Sequence, residues 1–201
     1  ILTCKACSKS INKELALNDK ICDKCASLEF QQGIEIAHTF ILEDRYSKLL
    51  KATFLNKKGK PENIQMGCYG IGITRLIAAS IELFSSENEI RWPLALAPCK
   101  VCVIPPKEGS KEAAVSDLGN EIYHNLSTHL KDDVAVDDRS SMTIGKRLLD
   151  MKKLGIPYII VIGAKSVDEN NPTVEVHNLN ANEMLNLSVS DAINYVLKSC
   201  Q

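Results

Sequence analysis

The chain contains no long hydrophobic run. No apolar stretch approaches the roughly 18 residues that would cross a bilayer as a helix, so no membrane partner is expected. It has almost no net charge, formally −1 from 24 basic and 25 acidic residues. Neither half is a basic slab: residues 1–97 carry 13 Lys and Arg against 11 Asp and Glu, and residues 98–201 carry 11 against 14. Bulk electrostatic attraction to nucleic acid is therefore not written into the composition. There is no low-complexity tract and no internal repeat. An apolar fraction of 45% is that of a globular protein, not a disordered one. Nothing at the start reads as a signal or transit peptide, and residue 1 is Ile, so we expect the chain to begin inside a longer protein. Arginine is scarce, 5 against 19 lysines, which makes Arg75, Arg139 and Arg147 worth reading one by one.

What is present is concentrated in Met66-Gly67-Cys68-Tyr69-Gly70-Ile71-Gly72-Ile73-Thr74-Arg75. The glycines end a strand-like run and open an apolar run of helical period. Glycine lets backbone N–H groups approach a ligand, and a helix N-terminus favours anions. Arg75 on the first turn adds a planar donor fork suited to phosphate. The segment reads as a phosphate-binding strand–turn–helix.

Eight cysteines have no secretory context, so a reducing compartment is the default over a disulfide framework. Cys4/Cys7 and Cys22/Cys25 form two CxxC units separated by 14 residues, near zinc-ribbon spacing. Four thiolates would hold a structural zinc ion and leave no open position for chemistry. The bland alternative is four free thiols in a loop. Cys99/Cys102 share the spacing, but Cys102 alternates with Val101 and Val103 and reads as core.

The periodicity divides the chain. Residues 1–30 form a cysteine-rich candidate zinc ribbon. In residues 31–97, a buried strand is expected over 34–42 and further strands over 52–56 and 62–69, joined by the loop Asn56–Pro61. A helix over 74–84 is expected to place Ile73, Ile77, Ile81 and Phe84 on one face. These make an antiparallel sheet backed by a helix. Arg91-Trp92-Pro93 and Ala97-Pro98 mark a boundary. Residues 98–201 then alternate between strands (Val101–Ile104, Val134–Val136, Tyr158–Ile162, 173–177, 184–188) and helices (111–130, 144–154, and one capped by Ser190 or Asp191 that ends at Ser199), as a compact α/β domain does. His38 and Glu35 are polar residues in an apolar strand, which ordinarily marks satisfied core groups. Asp137-Asp138-Arg139, at a strand end, has the usual location of a ligand contact, or of a structural ion pair.

Gly33-Ile34-Glu35-Ile36-Ala37-His38-Thr39-Phe40 with the Met66–Arg75 string resembles the end of the catalytic domain of prolyl-tRNA synthetases, its second element being similar to motif 3 of class II aminoacyl-tRNA synthetases. Asp137-Asp138-Arg139, Gly145-Lys146-Arg147 and Gly155-Ile156-Pro157 resemble the anticodon-binding domain of the class IIa enzymes. The Met-Gly-Cys-Tyr-Gly string points to the bacterial and organellar type, with the mitochondrial form the nearest match. The resemblance implies an α+β antiparallel-sheet remnant of a class II catalytic domain, then an α/β anticodon-binding domain with a mixed five-stranded sheet. It implies a ligase that uses ATP with Mg2+ to activate proline and transfers it to tRNA(Pro) in protein synthesis, a homodimer when full-length, in the mitochondrial matrix. It places Arg75 at the γ-phosphate as the catalytic arginine, Gly70 and Gly72 beside the adenosine, and His38 and Cys68 at the proline pocket. Arg139, Lys146 and Arg147 are then anticodon-loop contacts. Motifs 1 and 2 have no counterpart here and are expected before residue 1, so the segment alone is expected to be inactive.

Two other readings stay open. One is a non-enzymatic, synthetase-like accessory subunit that binds nucleic acid or protein. The other is a free-standing zinc-ribbon and α/β RNA-binding fragment. Arg75 and the glycine run favour the enzyme, because a binding module has no need of a γ-phosphate contact.

Overall fold

The computed structural model describes residues 1–16, 28–168 and 171–200. Cys22 and Cys25 of the expected zinc ribbon lie outside the described residues. The chain divides into two compact units, Ile1–Leu76 and Ile77–Gln201.

The first unit is built of small antiparallel pieces. Strands β1 (Leu2–Cys4), β2 (Ser10–Ile11) and β3 (Leu28–Phe30) form one sheet in the order β2-β1-β3. The turn between β1 and β2 is closed by Ser8 N–H to the Cys4 carbonyl and by Cys4 N–H to the Lys9 carbonyl, both at 2.8 Å. Among the described residues, strand β4 (Ala37–Glu43) pairs with β7 (Met66–Ile71) alone, in a ribbon that sets His38 opposite Gly70 and Phe40 opposite Cys68. Strands β5 (Thr53–Leu55) and β6 (Pro61–Asn63) form a separate hairpin. Its turn is organised by the Asn56 carboxamide oxygen, which accepts from the N–H groups of Lys58 and Lys60.

Three expectations fail here, each for a physical reason. The run 62–69 is not one strand. Ser47 Oγ donates to the Ile64 carbonyl at 2.6 Å and Ile64 N–H bonds the Ala52 carbonyl, so the chain leaves the hairpin before it joins β4. The expected buried strand 34–42 starts only at Ala37 and is not buried: Ile34 and Ile36 precede β4 and are exposed, and Phe40 is exposed on it, since a two-stranded ribbon brings no layer of its own to cover it. Helix α1 (Ile73–Phe84) forms as expected, but Ile73, Ile77 and Phe84 face outward, and the positions it buries are Ala79 and Ser80.

The second unit is a mixed five-stranded sheet in the order β12-β11-β10-β8-β9. Strands β8 (Val101–Ile104), β9 (Val134–Val136) and β10 (Tyr158–Val161) are parallel, and β11 (Val174–Asn178) and β12 (Glu183–Leu187) add antiparallel. Strands β8 and β10 are buried along their whole length, as their unbroken apolar runs require. One face packs Val101, Val103, Ile160 and Val176 against Ile122 and Leu126 of α2 (Asp117–Leu130) and Val196 of α4 (Val189–Ser199). The other packs Cys102, Ile104, Ile159 and Val161 against Ile144, Leu148 and Met151 of α3 (Ile144–Leu154).

The helices end where their caps dictate. Thr143 caps α3 by accepting from Lys146 N–H, and Gly155 closes it in the left-handed region at φ 76°. The expected helix 111–130 is a 3-10 turn (Lys111–Val115) followed by α2. The cap of α4 is Ser188, whose hydroxyl accepts from Asp191 N–H, not Ser190 or Asp191. Among the described residues, no helix is long and apolar enough to cross a membrane.

Candidate functional site

The glycine–arginine segment follows directly from β7 into α1. Its geometry is set by residues 35 and 36. Gly72 N–H donates to the Ile36 carbonyl at 2.8 Å, which fixes the turn that launches the helix. Arg75 Nη1 donates to the Glu35 carbonyl at 2.8 Å. The Glu35 carboxylate in turn lies 3.2 Å from His38 Nδ1. One residue thus anchors both the arginine and the histidine.

His38 lies opposite Gly70, where a Cβ would sit in ordinary contact with the ring, 3.5 Å from His38 Nε2. Phe40, two residues along β4 and on the same face, packs against His38 with ring centroids 4.7 Å apart and planes tilted by 50°, and it pairs with Cys68. The ribbon therefore gathers Gly70, His38 and Cys68 on one face, with Arg75 at its end. Both His38 and Cys68 are open to solvent. Glu35, which the sequence pattern left as a core polar residue, is instead exposed and central to the arrangement.

In the second unit, Asp137-Asp138-Arg139 follows β9 at the carboxyl ends of the parallel strands. Asp137 is buried, and its carboxylate takes a two-point hydrogen bond from Arg139, Nε to Oδ1 at 2.9 Å and Nη2 to Oδ2 at 2.8 Å. Arg139 Nη1 reaches Asp150 Oδ2 at 2.9 Å, and Lys146 Nζ lies 3.3 Å from Asp150 Oδ1. Burial would raise the Asp137 carboxyl, but the hydrogen bonds and charge of Arg139, with the charge of Arg147, outweigh it and hold it below the ordinary carboxylate value. Hydrogen bonds from Arg139 and Lys146 lower Asp150 likewise. Beside this network lies a cleft of about 370 Å³ floored by Cys102, Met151 and Ile156 and rimmed by Asp138 and Arg139. Burial pushes the Cys102 thiol up to about 12, which fits a core residue.

The three basic residues expected at an anticodon loop are not equivalent. Lys146 and Arg139 reach the surface. Arg147 does not: it has no exposed surface at all. Its Nη1 donates to the Asp137 carbonyl at 3.2 Å and its Nη2 to the Pro105 carbonyl at 2.6 Å. A side chain sealed in this way cannot touch a ligand, and the expectation for Arg147 is corrected on that ground. Asp150 was missed, although its spacing of four from Lys146 on a helix was a usable signal.

Of the expected zinc ligands, Cys4 and Cys7 flank the β1–β2 turn, and Cys4 is buried. Among the described residues, no group of three or more His, Cys, Asp or Glu side chains could hold a metal ion.

Comparisons with known proteins agree with this layout. The sequence model of the anticodon-binding domain matches residues 100–199. The chain is 42% identical over 193 residues to a protein of Mus musculus named probable proline–tRNA ligase, mitochondrial, covering 94% of this chain and 40% of that protein. The Homo sapiens protein of the same name is 44% identical over 171 residues, covering 83% and 36%. The proline–tRNA ligase of Maridesulfovibrio salexigens is 39% identical over 167 residues, covering 83% and 28%. The solved structure of Giardia lamblia prolyl-tRNA synthetase in complex with prolyl-adenylate superposes with a TM-score of 0.69 over 82% of this chain and 36% of that one. At 22% identity that likeness speaks for the fold. The chain spans 40% or less of the length of each of these proteins. A conserved fold, an anticodon-domain match and this level of identity to mitochondrial and bacterial enzymes place the chain in the prolyl-tRNA synthetase family, with residues 100–199 as its anticodon-binding domain.

Proposed function

We propose that the chain works as part of a proline–tRNA ligase. In this reading residues 31–97 belong to the class II catalytic domain, and residues 98–201 read the anticodon of tRNA(Pro). The observation that carries the reading is the anchoring of Arg75 and His38 on the single residue Glu35, on a ribbon that also presents Gly70 and Cys68. In this reading the phosphate-binding arginine and the residues that border proline share one support.

The reaction has two steps. A proline carboxylate oxygen attacks the α-phosphorus of ATP, and pyrophosphate leaves with the electrons of the broken P–O bond. The terminal ribose hydroxyl of the tRNA then attacks the prolyl carbonyl carbon, and AMP leaves. Such chemistry is mostly positioning and charge stabilisation. Arg75 binds the γ-phosphate of a bent ATP, exchanging the Glu35 carbonyl for phosphate oxygens. Gly70 and Gly72 let the backbone lie close to the adenosine, and His38 and Cys68 border the proline ring. Mg2+, when bound with ATP, neutralises phosphate charge. Arg139 and Lys146 meet the anticodon loop.

Homodimerisation, a mitochondrial location and a structural zinc belong to the same reading. The β1–β2 turn supports the zinc, because its backbone bonds hold Cys4 and Cys7 at one bend.

Proline-dependent ATP–pyrophosphate exchange by the full-length protein tests the reading. Exchange is expected with proline, and Arg75→Ala is expected to lower kcat/KM by about a hundredfold or more. No proline-dependent exchange by the full-length protein would refute it, and normal exchange by Arg75→Ala would refute the phosphate role.

A further inference from the structure

The most anomalous side chain in the second unit is Arg147. It is a fully buried arginine in a helix turn that otherwise looks solvated. Burying a cation is costly, and an apolar residue of similar volume would commonly serve stability as well or better. Arg147 is not even optimally satisfied: its Nε is buried without a hydrogen-bond partner in the structure. What it achieves is geometric. Its two Nη groups clamp the carbonyls of Pro105 and Asp137, which follow the adjacent parallel strands β8 and β9.

The clamp fixes the main chain of Asp137, and the Asp137 carboxylate fixes Arg139 at two points. The loops it ties are also joined by Glu108 N–H to the Ser140 carbonyl at 2.9 Å. The result is a guanidinium held at the rim of the cleft, with three of its five N–H donors on carboxylates and its side chain 39% exposed.

We propose that Arg147 is a positioning residue for the tRNA-dependent step, setting Arg139 through Asp137 without touching RNA itself. This rests on the reading of the second unit as the anticodon contact. It differs from a purely structural role in what it predicts. Removing Arg147 still leaves Asp137 its partner Arg139, so the fold survives, but the Asp137 main chain loses its anchor and the Arg139 guanidinium shifts with it.

The test uses Arg147→Met, Arg147→Lys and Arg139→Ala in the full-length protein, with KM for tRNA(Pro) and proline-dependent pyrophosphate exchange measured side by side. Arg147→Met is expected to raise the tRNA KM roughly tenfold, with a far smaller effect on exchange, as misplacement of a contact does. Arg147→Lys keeps the charge and one donor arm and is expected to recover part of the loss. In the 15N-labelled 201-residue chain, the Arg139 Nε–H signal is expected to lose its protection from solvent exchange in Arg147→Met and to keep part of it in Arg147→Lys. If Arg147→Met does not fold, a raised tRNA KM and a less protected Arg139 signal in Arg147→Lys carry the proposal. An unchanged tRNA KM in the Arg147 variants, or full protection of Arg139 in them, overturns it. If Arg139→Ala raises the tRNA KM while the Arg147 variants do not, the positioning role alone falls. If Arg139→Ala is also silent, the anticodon reading of this face falls with it.

Discussion

Replacing Asp137 by Asn should unfold the second unit far more readily than any change on its surface. The Asp137 side chain is 2% exposed, and its charge acts through space on the buried guanidinium of Arg147. Its hydrogen-bonded partner, Arg139, is 39% exposed, so solvent screens that pair and its share is about 1 kcal/mol or less. The larger cost is the lost attraction to Arg147, whose Nη groups bond main-chain carbonyls that Asp137→Asn retains, about 1–3 kcal/mol. With a urea slope of about 2 kcal/mol/M, the midpoint should fall by roughly 1 M.

The assay is built into the chain. Trp92 is the single tryptophan, and its Nε1 donates to the Leu154 carbonyl at 2.9 Å, so its fluorescence follows this unit. The Asp137 carboxyl is held below its ordinary value in the folded state. Its contribution is therefore fully present above the unfolded value near 3.9, and is lost as pH falls through the folded one. The gap between the native chain and Asp137→Asn should be constant from neutral pH down to about 5 and close on further acidification. Adding Arg147→Met to Asp137→Asn removes the stranded charge and should restore much of the loss. A midpoint shift below about 0.5 M, or a double variant no more stable than Asp137→Asn, would refute the buried-charge argument.

Gly155→Ala should cost about 1–2 kcal/mol for the left-handed backbone alone. It should cost more in packing, because the new Cβ would lie 2.7 Å from the Ile90 carbonyl oxygen and 2.8 Å from Trp92 Cδ1; a red-shifted Trp92 emission in the folded chain would show the 90–92 segment displaced, and unchanged emission would count against that packing. Ser188→Ala removes the α4 cap and should lower unfolding free energy by about 1 kcal/mol, whereas Ser190→Ala should not. Iodoacetamide at pH 8 should modify exposed Cys68 quickly and leave Cys102 unmodified until the unit unfolds, since burial holds that thiol near 12; early labelling of Cys102 would contradict its burial. Elemental analysis of reduced, carefully prepared protein should find about one zinc per chain, and its absence would remove the ribbon.

The second unit was legible because its signals are local. An apolar run of four such as Val101–Ile104 suits a strand covered on both faces, and Thr143 and Gly155 bracket α3 by cap chemistry that needs no tertiary partner. The first unit was less legible because its apolar residues declare a preference for burial without saying what covers them. Ile34, Ile36 and Phe40 alternate as a half-buried strand should, and yet are exposed, the first two ahead of β4 and the third on a ribbon of two strands. The candidate sites divide along the same line. Gly70, His38 and Cys68 meet because strand register is a local rule, and Arg75 follows one turn later. Arg147 could not be read, because Lys146-Arg147 looks like any charged helix start. Whether an arginine there faces water or a pair of carbonyls depends on where β8 and β9 end, more than 40 residues back in the chain for Pro105. The charge that sequence reasoning assigns to a ligand thus becomes, in the folded unit, the brace behind one.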